Sequence, residues 1–323
     1  FPYNVIPDAL MLAGHLLGLE LRDTPEGVQA RTVPRLDGLS LQADFTRADA
    51  PCSAWSNGWQ APRLEDDGHR LRLWLSGTFP RGCSVRPALQ LIDRDRLAEL
   101  GLRTLWTQLG GRLQGGVRPG LAPGGARVLA ERLSRPWGEV LRTMNKQSDN
   151  TLTRLLFLQL GVPAMADEPQ RSTAELAARE VHRWLAEQGI DDRGLVLDNG
   201  SGLSRRERLT PRLLARVIET TLAGRHGPEL LMSLPTVGVD GTMRNRLKDS
   251  PAAGWARLKT GTLRNVAGLA GVVPDAQGRR WVVVALINHE RAAQARPALD
   301  ALIDWIARGR PPEAELGAGI GGP

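Results

Sequence analysis

Three adjacent residues with chemically useful side chains, Ser148, Asp149 and Asn150, stand at the start of an apolar helical pattern. Leucines and a phenylalanine recur at helical spacing from Leu152 to Leu160, so the three residues are predicted to lie near a helix N-terminus. Ser, Asp and Asn commonly cap a helix at that place. They can also face a cleft, where a serine hydroxyl relays protons and an asparagine amide both donates and accepts hydrogen bonds.

A lysine, a threonine and a glycine follow one another at Lys259, Thr260 and Gly261. The tripeptides Ser-Asp-Asn and Lys-Thr-Gly are two parts of a signature for serine acyl-enzyme chemistry, and Ser-x-x-Lys is the third. A compact ammonium on an edge strand suits a terminal carboxylate and can keep a nearby hydroxyl poised for proton transfer. We therefore predict three catalytic residues, Ser148, Asn150 and Lys259. Thr260 is expected to hydrogen-bond the substrate carboxylate, and Gly261 to let substrate lie against the strand backbone.

The composition is that of a globular protein with a basic surface. Hydrophobic residues make up 41% of the chain and charged residues 24%, and the formal net charge is +7. This charge permits an acidic polymer as a partner, but the arginines are scattered, aromatic residues are only 4% and no RNA-binding or helix-turn-helix motif occurs, so nucleic-acid binding is not predicted. No apolar run reaches the roughly 18 to 20 residues that a membrane helix needs. The chain has three lysines and 39 arginines; Lys146, beside the first motif, is expected on the surface.

The two cysteines, Cys52 and Cys83, do not form a metal-binding pattern, and neither do the five histidines. No metal site and no cofactor are therefore predicted. Both cysteines end strand-like stretches of a loop-rich segment, which favours a disulfide in an oxidising compartment. Two free buried thiols are the alternative.

Apolar periodicity and turn residues predict a β-rich stretch, then a cluster of helices, then a final sheet. The predicted elements are strands within residues 15–87, a helix at Asp93–Leu109, a Gly/Pro-rich linker at Gly115–Arg127, a strand at Arg127–Leu133, helices opening at Pro136, Thr151, Ser172 and Thr210, a short helix at Pro228–Leu234, strands at Asn265–Val273 and Arg280–Asn288, and a closing helix at Ala292–Ala307. The strand at Arg280–Asn288 is apolar on both faces and is expected to be central in its sheet.

Four segments in order, MNKQSDN, LDNGSGLSRRERLTP, VGVDGTMRNRL and LKTGTLRNVAGLAGVV, resemble the class C low-molecular-mass penicillin-binding proteins. These are D-alanyl-D-alanine carboxypeptidases and endopeptidases of bacterial cell-wall metabolism. The resemblance covers residues 126 to 307 well and the first part of the chain less specifically. It implies an α+β fold of the serine transpeptidase/β-lactamase type, an antiparallel sheet flanked by helices, with an inserted β-rich accessory module.

The sequence pattern and the resemblance together predict a domain organisation, and the resemblance implies an activity. Residues 1–14 and 88–120 would belong to an accessory domain, 15–87 to the inserted module, 121–309 to the C-terminal portion of a transpeptidase-like catalytic domain, and 310–323 to a flexible tail. The implied partners are peptidoglycan stem peptides and β-lactam antibiotics, without a cofactor, and the implied compartment is the periplasm. The oligomeric state stays open.

Further site residues are implied by the resemblance alone. The backbone N–H of Thr262 would be an oxyanion donor. Ser201 and Gly202 lie in a Gly-rich loop that is near the active site in the family, although turn formation accounts for them equally well. Thr242 matches a hydroxyl position near the family's cleft, and capping of the following short helix is the alternative account.

One departure from the family is clear, because none of the twelve serines is followed three residues later by lysine. The nucleophile is therefore expected on a segment that precedes Phe1, and the chain as printed is not expected to form an acyl-enzyme. Two alternatives to the DD-peptidase remain. One is a β-lactamase or esterase of the same fold, and the other is a non-catalytic peptidoglycan-binding protein.

Overall fold

The computed structural model describes residues 5–8, 10–118, 120 and 123–309. The chain divides into two compact units, Phe1–Glu131 and Arg132–Pro323. The predicted tail from Arg310 to Pro323 lies outside the described residues.

The first unit is built mainly of strands, as the alternation of apolar and polar residues predicted. Its elements are β1 (Leu17–Thr24), β2 (Gly27–Thr32), β3 (Leu39–Ala48), β4 (Arg63–Asp66), β5 (Leu71–Pro80), β6 (Ser84–Val85), β7 (Ala88–Leu89) and α1 (Arg94–Gln108). Strand β1 pairs with β2, β6 and β7, and β5 pairs in parallel with β3 and antiparallel with β4. Because alternate side chains of a strand share one face, alternate leucines of β1 and β5 build a common core.

A disulfide between Cys52 and Cys83 closes part of this unit, with 5.5 Å between the two Cα atoms. The predicted pairing is therefore confirmed. Helix α1 begins where Asp93 caps it, its carboxylate accepting a hydrogen bond from the backbone N–H of Asp95 at 2.9 Å.

The second unit combines six helices with a three-stranded sheet over the described residues. Its elements are α2 (Trp137–Gln147), α3 (Asn150–Gly161), α4 (Thr173–Glu187), α5 (Pro211–Ala223), α6 (Gly227–Ser233), β8 (Arg257–Leu263), β9 (Val266–Pro274), β10 (Arg280–Asn288) and α7 (Arg296–Ala307). The predicted helix starts at Ser172 and Thr210 are confirmed, because a capping box of Ser172 and Glu175 opens α4 and the Thr210 side chain caps α5. Helices α5 and α7 both contact β9. None of the helices in the described ranges has the length and apolarity of a membrane span.

Two sequence predictions, one at the boundary between the units and one in the second unit, are wrong. The strand predicted at Arg127–Leu133 is absent from the described residues, and Leu129 and Leu133 are each 82% exposed. An apolar alternation forms a strand only where a neighbouring strand completes its hydrogen bonds. The strand at Arg280–Asn288 is not central, because the described sheet has the order β10-β9-β8. Strand β9 belongs to both hairpins and therefore occupies the middle.

Candidate active site

Ser148 lies at the junction of helices α2 and α3. It ends α2 in a left-handed conformation, with φ of +58°, and α3 begins two residues later. The capping role belongs to its neighbour, because the Asp149 carboxylate accepts a hydrogen bond from the backbone N–H of Leu152 at 2.9 Å. Asn150 is the first residue of α3. The turn between the helices thus presents the Ser148 hydroxyl without using it as a cap.

Lys259 lies on β8, an edge strand of the sheet as predicted, and reaches Ser148. Its Nζ donates hydrogen bonds to the Ser148 Oγ at 2.7 Å and to the Thr260 carbonyl oxygen at 2.9 Å. Burial of the ammonium lowers the pKa of Lys259 below its ordinary value of 10.5. The structure therefore brings together two groups that are 111 residues apart in sequence.

The free part of the β8 edge lies beside Lys259. Leu263 pairs with Val266 across a two-residue turn, so its backbone groups bond to β9. Such bonding alternates along an antiparallel strand, so the backbone N–H and C=O of Thr262 and Thr260 point away from β9. The same alternation directs the Leu258 N–H outward, where it donates to the Pro235 carbonyl at 2.9 Å. The backbone N–H groups of Thr260 and Thr262 thus face the outer edge of the sheet.

The segment around Thr236 covers the earlier part of the same edge. Thr236 forms a bridge with Arg257, and the Val237 N–H donates to the Ala256 carbonyl at 3.1 Å. Covered and open parts of β8 therefore meet close to Lys259.

Thr242 joins this group through its side chain. Its hydroxyl lies 2.8 Å from the hydroxyl of Thr260, in a short 3-10 turn at Gly241–Met243. The helix-capping account of Thr242 is therefore wrong, because Asp240 holds the N-cap position of that turn. The hydroxyl pair connects the turn to the strand that carries Lys259.

Lys146 was predicted on the surface and is instead held in an ion pair. Its side chain is only 14% exposed, and its Nζ contacts the Asp240 carboxylate at 2.6 Å and donates to the Leu234 carbonyl at 3.0 Å. Asp240 also accepts from the Thr236 N–H at 2.8 Å. Burial acts to raise the pKa of Asp240, but the hydrogen bond from Lys146 and that from the Thr236 N–H outweigh it and leave the pKa lowered.

This ion pair connects the end of α2, two residues before Ser148, to the turn that carries Thr242. The fit is close, because a Cβ on Gly241, whose φ is +56°, would lie 2.7 Å from the Lys146 carbonyl oxygen. The distance between the Ser148 and Thr260 sides of the site is therefore set partly by Lys146 and Asp240. Sequence reasoning missed this pair since its members are 94 residues apart.

Ser201 and Gly202 make the contacts of a turn. The Ser201 hydroxyl accepts a hydrogen bond from the Leu203 N–H at 3.1 Å, and Gly202 has a φ of +75°. Gly200 packs so closely on α3 that a Cβ there would lie 2.5 Å from the Cβ of Phe157. These contacts favour the turn-forming account of the loop.

Arg296 is a further residue at the site that the sequence analysis did not find. It is the first residue of α7, and its guanidinium donates to the Thr262 hydroxyl at 3.2 Å. An arginine in a chain with 39 of them carries no signal in its own sequence context. No group of three His, Cys, Asp or Glu side chains suited to a metal ion occurs among the described residues.

The sequence of the chain matches a known protein family. The model of the D-Ala-D-Ala carboxypeptidase 3 (S13) family matches residues 2–308. The chain belongs to this family. Proteins similar to it are named D-alanyl-D-alanine carboxypeptidase and penicillin binding protein 4, so the resemblance to the class C low-molecular-mass penicillin-binding proteins that was found in the sequence is confirmed.

Two named relatives each match a little more than half of this chain. It is 38% identical over 192 residues to carboxypeptidase DacB of Mycolicibacterium smegmatis, covering 56% of this chain and 40% of that protein. It is 32% identical over 183 residues to the D-alanyl-D-alanine carboxypeptidase DacB of Haemophilus influenzae, covering 56% of this chain and 38% of that protein. The chain thus spans about two fifths of the length of these relatives.

A solved structure confirms the fold of this chain. Penicillin binding protein 4 of Haemophilus influenzae, crystallised with a β-lactam, superposes with a TM-score of 0.65 at 22% identity, covering 92% of this chain and 71% of that one. The predicted α+β fold, with an antiparallel sheet and flanking helices, is therefore correct.

Proposed function

We propose that this protein is a serine DD-peptidase that cleaves the D-Ala-D-Ala end of peptidoglycan stem peptides through an acyl-enzyme, and that β-lactams acylate it. The observation that carries the proposal is the 2.7 Å hydrogen bond from the Lys259 ammonium to the Ser148 hydroxyl beside an exposed strand edge. Membership of the S13 family supports it. The proposal concerns the whole protein, because the chain spans about two fifths of its named relatives.

The Ser148 hydroxyl would carry a proton to the leaving nitrogen. It accepts a hydrogen bond from Lys259 and can donate its own proton, so one group can serve both directions of transfer. The lowered pKa of Lys259 reduces the free-energy cost of a transient proton loss from its ammonium. Asn150, on the first turn of α3, would orient a substrate amide.

The open edge of β8 would hold the substrate backbone. Thr262 offers an outward N–H as an oxyanion donor, and Gly261 adds no side chain that would keep substrate from the strand. The terminal carboxylate would lie against Lys259 and the Thr260 hydroxyl, with Thr242 fixing that hydroxyl at 2.8 Å. We assign Ser201 and Gly202 to a lesser, shaping role.

None of the twelve serines of the chain has lysine three residues later, so the nucleophile is assigned to none of them. The reaction needs such a serine with an adjacent base. We further propose a periplasmic location, which the disulfide between Cys52 and Cys83 supports. We also propose that residues 121–309 form the catalytic domain.

The test is fluorescent penicillin labelling of the full gene product, compared with its Lys259→Ala variant. We expect a stable covalent adduct on the wild type, loss of more than about 100-fold in labelling rate for the variant, and an unchanged melting curve. Equal labelling of both proteins would contradict the role of Lys259. An adduct that is released within seconds would instead indicate a β-lactamase, and the absence of any adduct on the wild type would indicate a non-catalytic wall-binding protein.

A further inference from the structure

An open cavity of about 560 Å³ lies in the second unit, apart from Ser148, Thr242 and Lys259. One side is formed by the C-terminal halves of helices α2 and α6, and the other by the start of β8 and the β9–β10 hairpin. Neither the proposed catalytic residues nor the proposed substrate-binding residues line it.

The lining of this cavity is strongly basic. It includes Arg142, Lys146, Arg257 and Arg280, against a single carboxylate, that of Asp240. Lys146 and Asp240 neutralise each other at 2.6 Å, which leaves three guanidinium groups around one cavity. The Arg257 guanidinium donates to backbone carbonyls, and the side chains of Arg142 and Arg280 have no hydrogen-bond or ion-pair partner within the part of the chain that the structure describes. Three guanidinium groups, beside a single carboxylate that Lys146 already neutralises, are suited to an anionic ligand.

An exposed aromatic ring stands at the same cavity. Trp255 is 73% exposed, and the neighbouring Met232 is 63% exposed. The turn that carries Trp255 is fixed, because the Arg257 guanidinium donates to the carbonyls of Gly254 at 3.0 Å and of Trp255 at 3.2 Å. The exposure of the indole is thus part of a built surface, and a large exposed apolar group beside fixed charge is typical of a binding site.

We propose that this cavity is a second binding site for the anionic wall polymer, in which carboxylates of the polymer pair with Arg142, Arg257 and Arg280 and a sugar ring stacks on Trp255. The proposal rests on the proposed function, since peptidoglycan combines pyranose rings with acidic stem peptides. The site is close to the groove in sequence and space: Arg257 precedes Lys259 on the same strand by two residues, roughly 7 Å. A polymer held at both places would bind with an increased effective concentration, which a short soluble peptide cannot do.

The test uses the full gene product with Arg142→Gln and Arg280→Gln combined, and separately Trp255→Ala. Binding to insoluble purified peptidoglycan is measured by co-sedimentation at low and high salt, and hydrolysis of a short soluble D-Ala-D-Ala peptide is measured in parallel. We expect the double variant to bind the polymer about tenfold more weakly at low salt, with a reduced salt dependence, and Trp255→Ala to bind several-fold more weakly at both salt concentrations. Hydrolysis of the soluble peptide should be unchanged.

A control variant combines Arg212→Gln and Arg291→Gln. Both arginines are exposed, lie in the same unit and do not line the cavity, so the net charge changes equally. The proposal would be overturned if the control and the cavity variant lost peptidoglycan binding equally, or if the cavity variant bound the polymer as well as the wild type does. It would also be overturned if the cavity variant lost binding to anionic vesicles or DNA while keeping wall binding. If the wild type neither hydrolyses the soluble peptide nor reacts with penicillin, the proposed function fails, while the co-sedimentation arm still tests the cavity.

Discussion

Replacing Lys146 by methionine should weaken both the fold and the chemistry. The change removes the ammonium but keeps an unbranched apolar stem in a site where the lysine side chain is 14% exposed and the Asp240 side chain 29% exposed. Asp240 would retain only its hydrogen bond from the Thr236 N–H, and the Leu234 carbonyl would lose its donor. Because a partly buried carboxylate loses its counter-ion, we expect the free energy of unfolding in urea to fall by about 2 to 3 kcal/mol.

The catalytic effect should exceed what lost stability alone produces. The ion pair connects the end of α2 to the turn bearing Thr242, so the positions of Ser148 and Thr260 would relax relative to each other. A displacement of about 1 Å between reacting groups costs on the order of 100-fold in rate, and we expect penicillin acylation of the full gene product to slow by 10- to 100-fold. Lys146→Arg, which retains the charge, should recover part of this loss.

The matched control is Asp300→Asn, which breaks the ion pair with Arg246 in the same unit. That pair also has an N···O distance of 2.6 Å, and its side chains are 24% and 30% exposed. A comparable loss of stability is expected there with an unchanged acylation rate. The ion pair of Lys146 and Asp240 would have no role in positioning the site if Lys146→Met lowered stability while acylation proceeded at the wild-type rate, or if both variants slowed acylation equally.

Two other predictions concern the disulfide and the active-site lysine. Non-reducing mass measurement should find Cys52 joined to Cys83, and two titratable thiols in the native protein would contradict this pairing. Cys83→Ser should lower the free energy of unfolding by about 3 to 4 kcal/mol, because the link closes a loop of 31 residues. For Lys259, acylation should decline with rising pH at a pH below 10.5, because burial lowers the pKa of the ammonium that the substrate carboxylate needs. The unfolded chain holds that proton to higher pH, so the free energy of unfolding should rise with pH between the lowered pKa and 10.5. If the acylation rate declined only at or above pH 10.5, Lys259 would not be buried as described.

Local patterns were enough to predict much of the fold. The helices that open at Asp93 and Thr210 start where the sequence indicated, because each cap bonds to a backbone N–H three or fewer residues away. The meeting of Ser148 and Lys259 is different, because only the joint occurrence of two motifs indicated it and no local pattern specifies a contact across 111 residues.

The errors share one physical origin. A strand at Arg127–Leu133 and a central position for Arg280–Asn288 both depend on which strands are neighbours, and apolar periodicity does not contain that information. Lys146 was placed on the surface for the same reason, since its partner Asp240 is distant in sequence. Pairing between distant segments therefore limits what the sequence alone could show about this site.

The division of strand β8 between a covered and an open half has a consequence for what can pair with it. The segment at Thr236 satisfies the outward groups from Ala256 to Leu258. Within the described residues, the stretch from Thr260 to Thr262 is therefore the part of β8 left for another chain to add to, roughly 7 Å of strand. So short a ladder can accept the last two residues of an extended peptide but gives too few hydrogen bonds for a second copy of the sheet to join. The same few ångströms that admit a chain end thereby limit edge-to-edge association at the outer edge of β8.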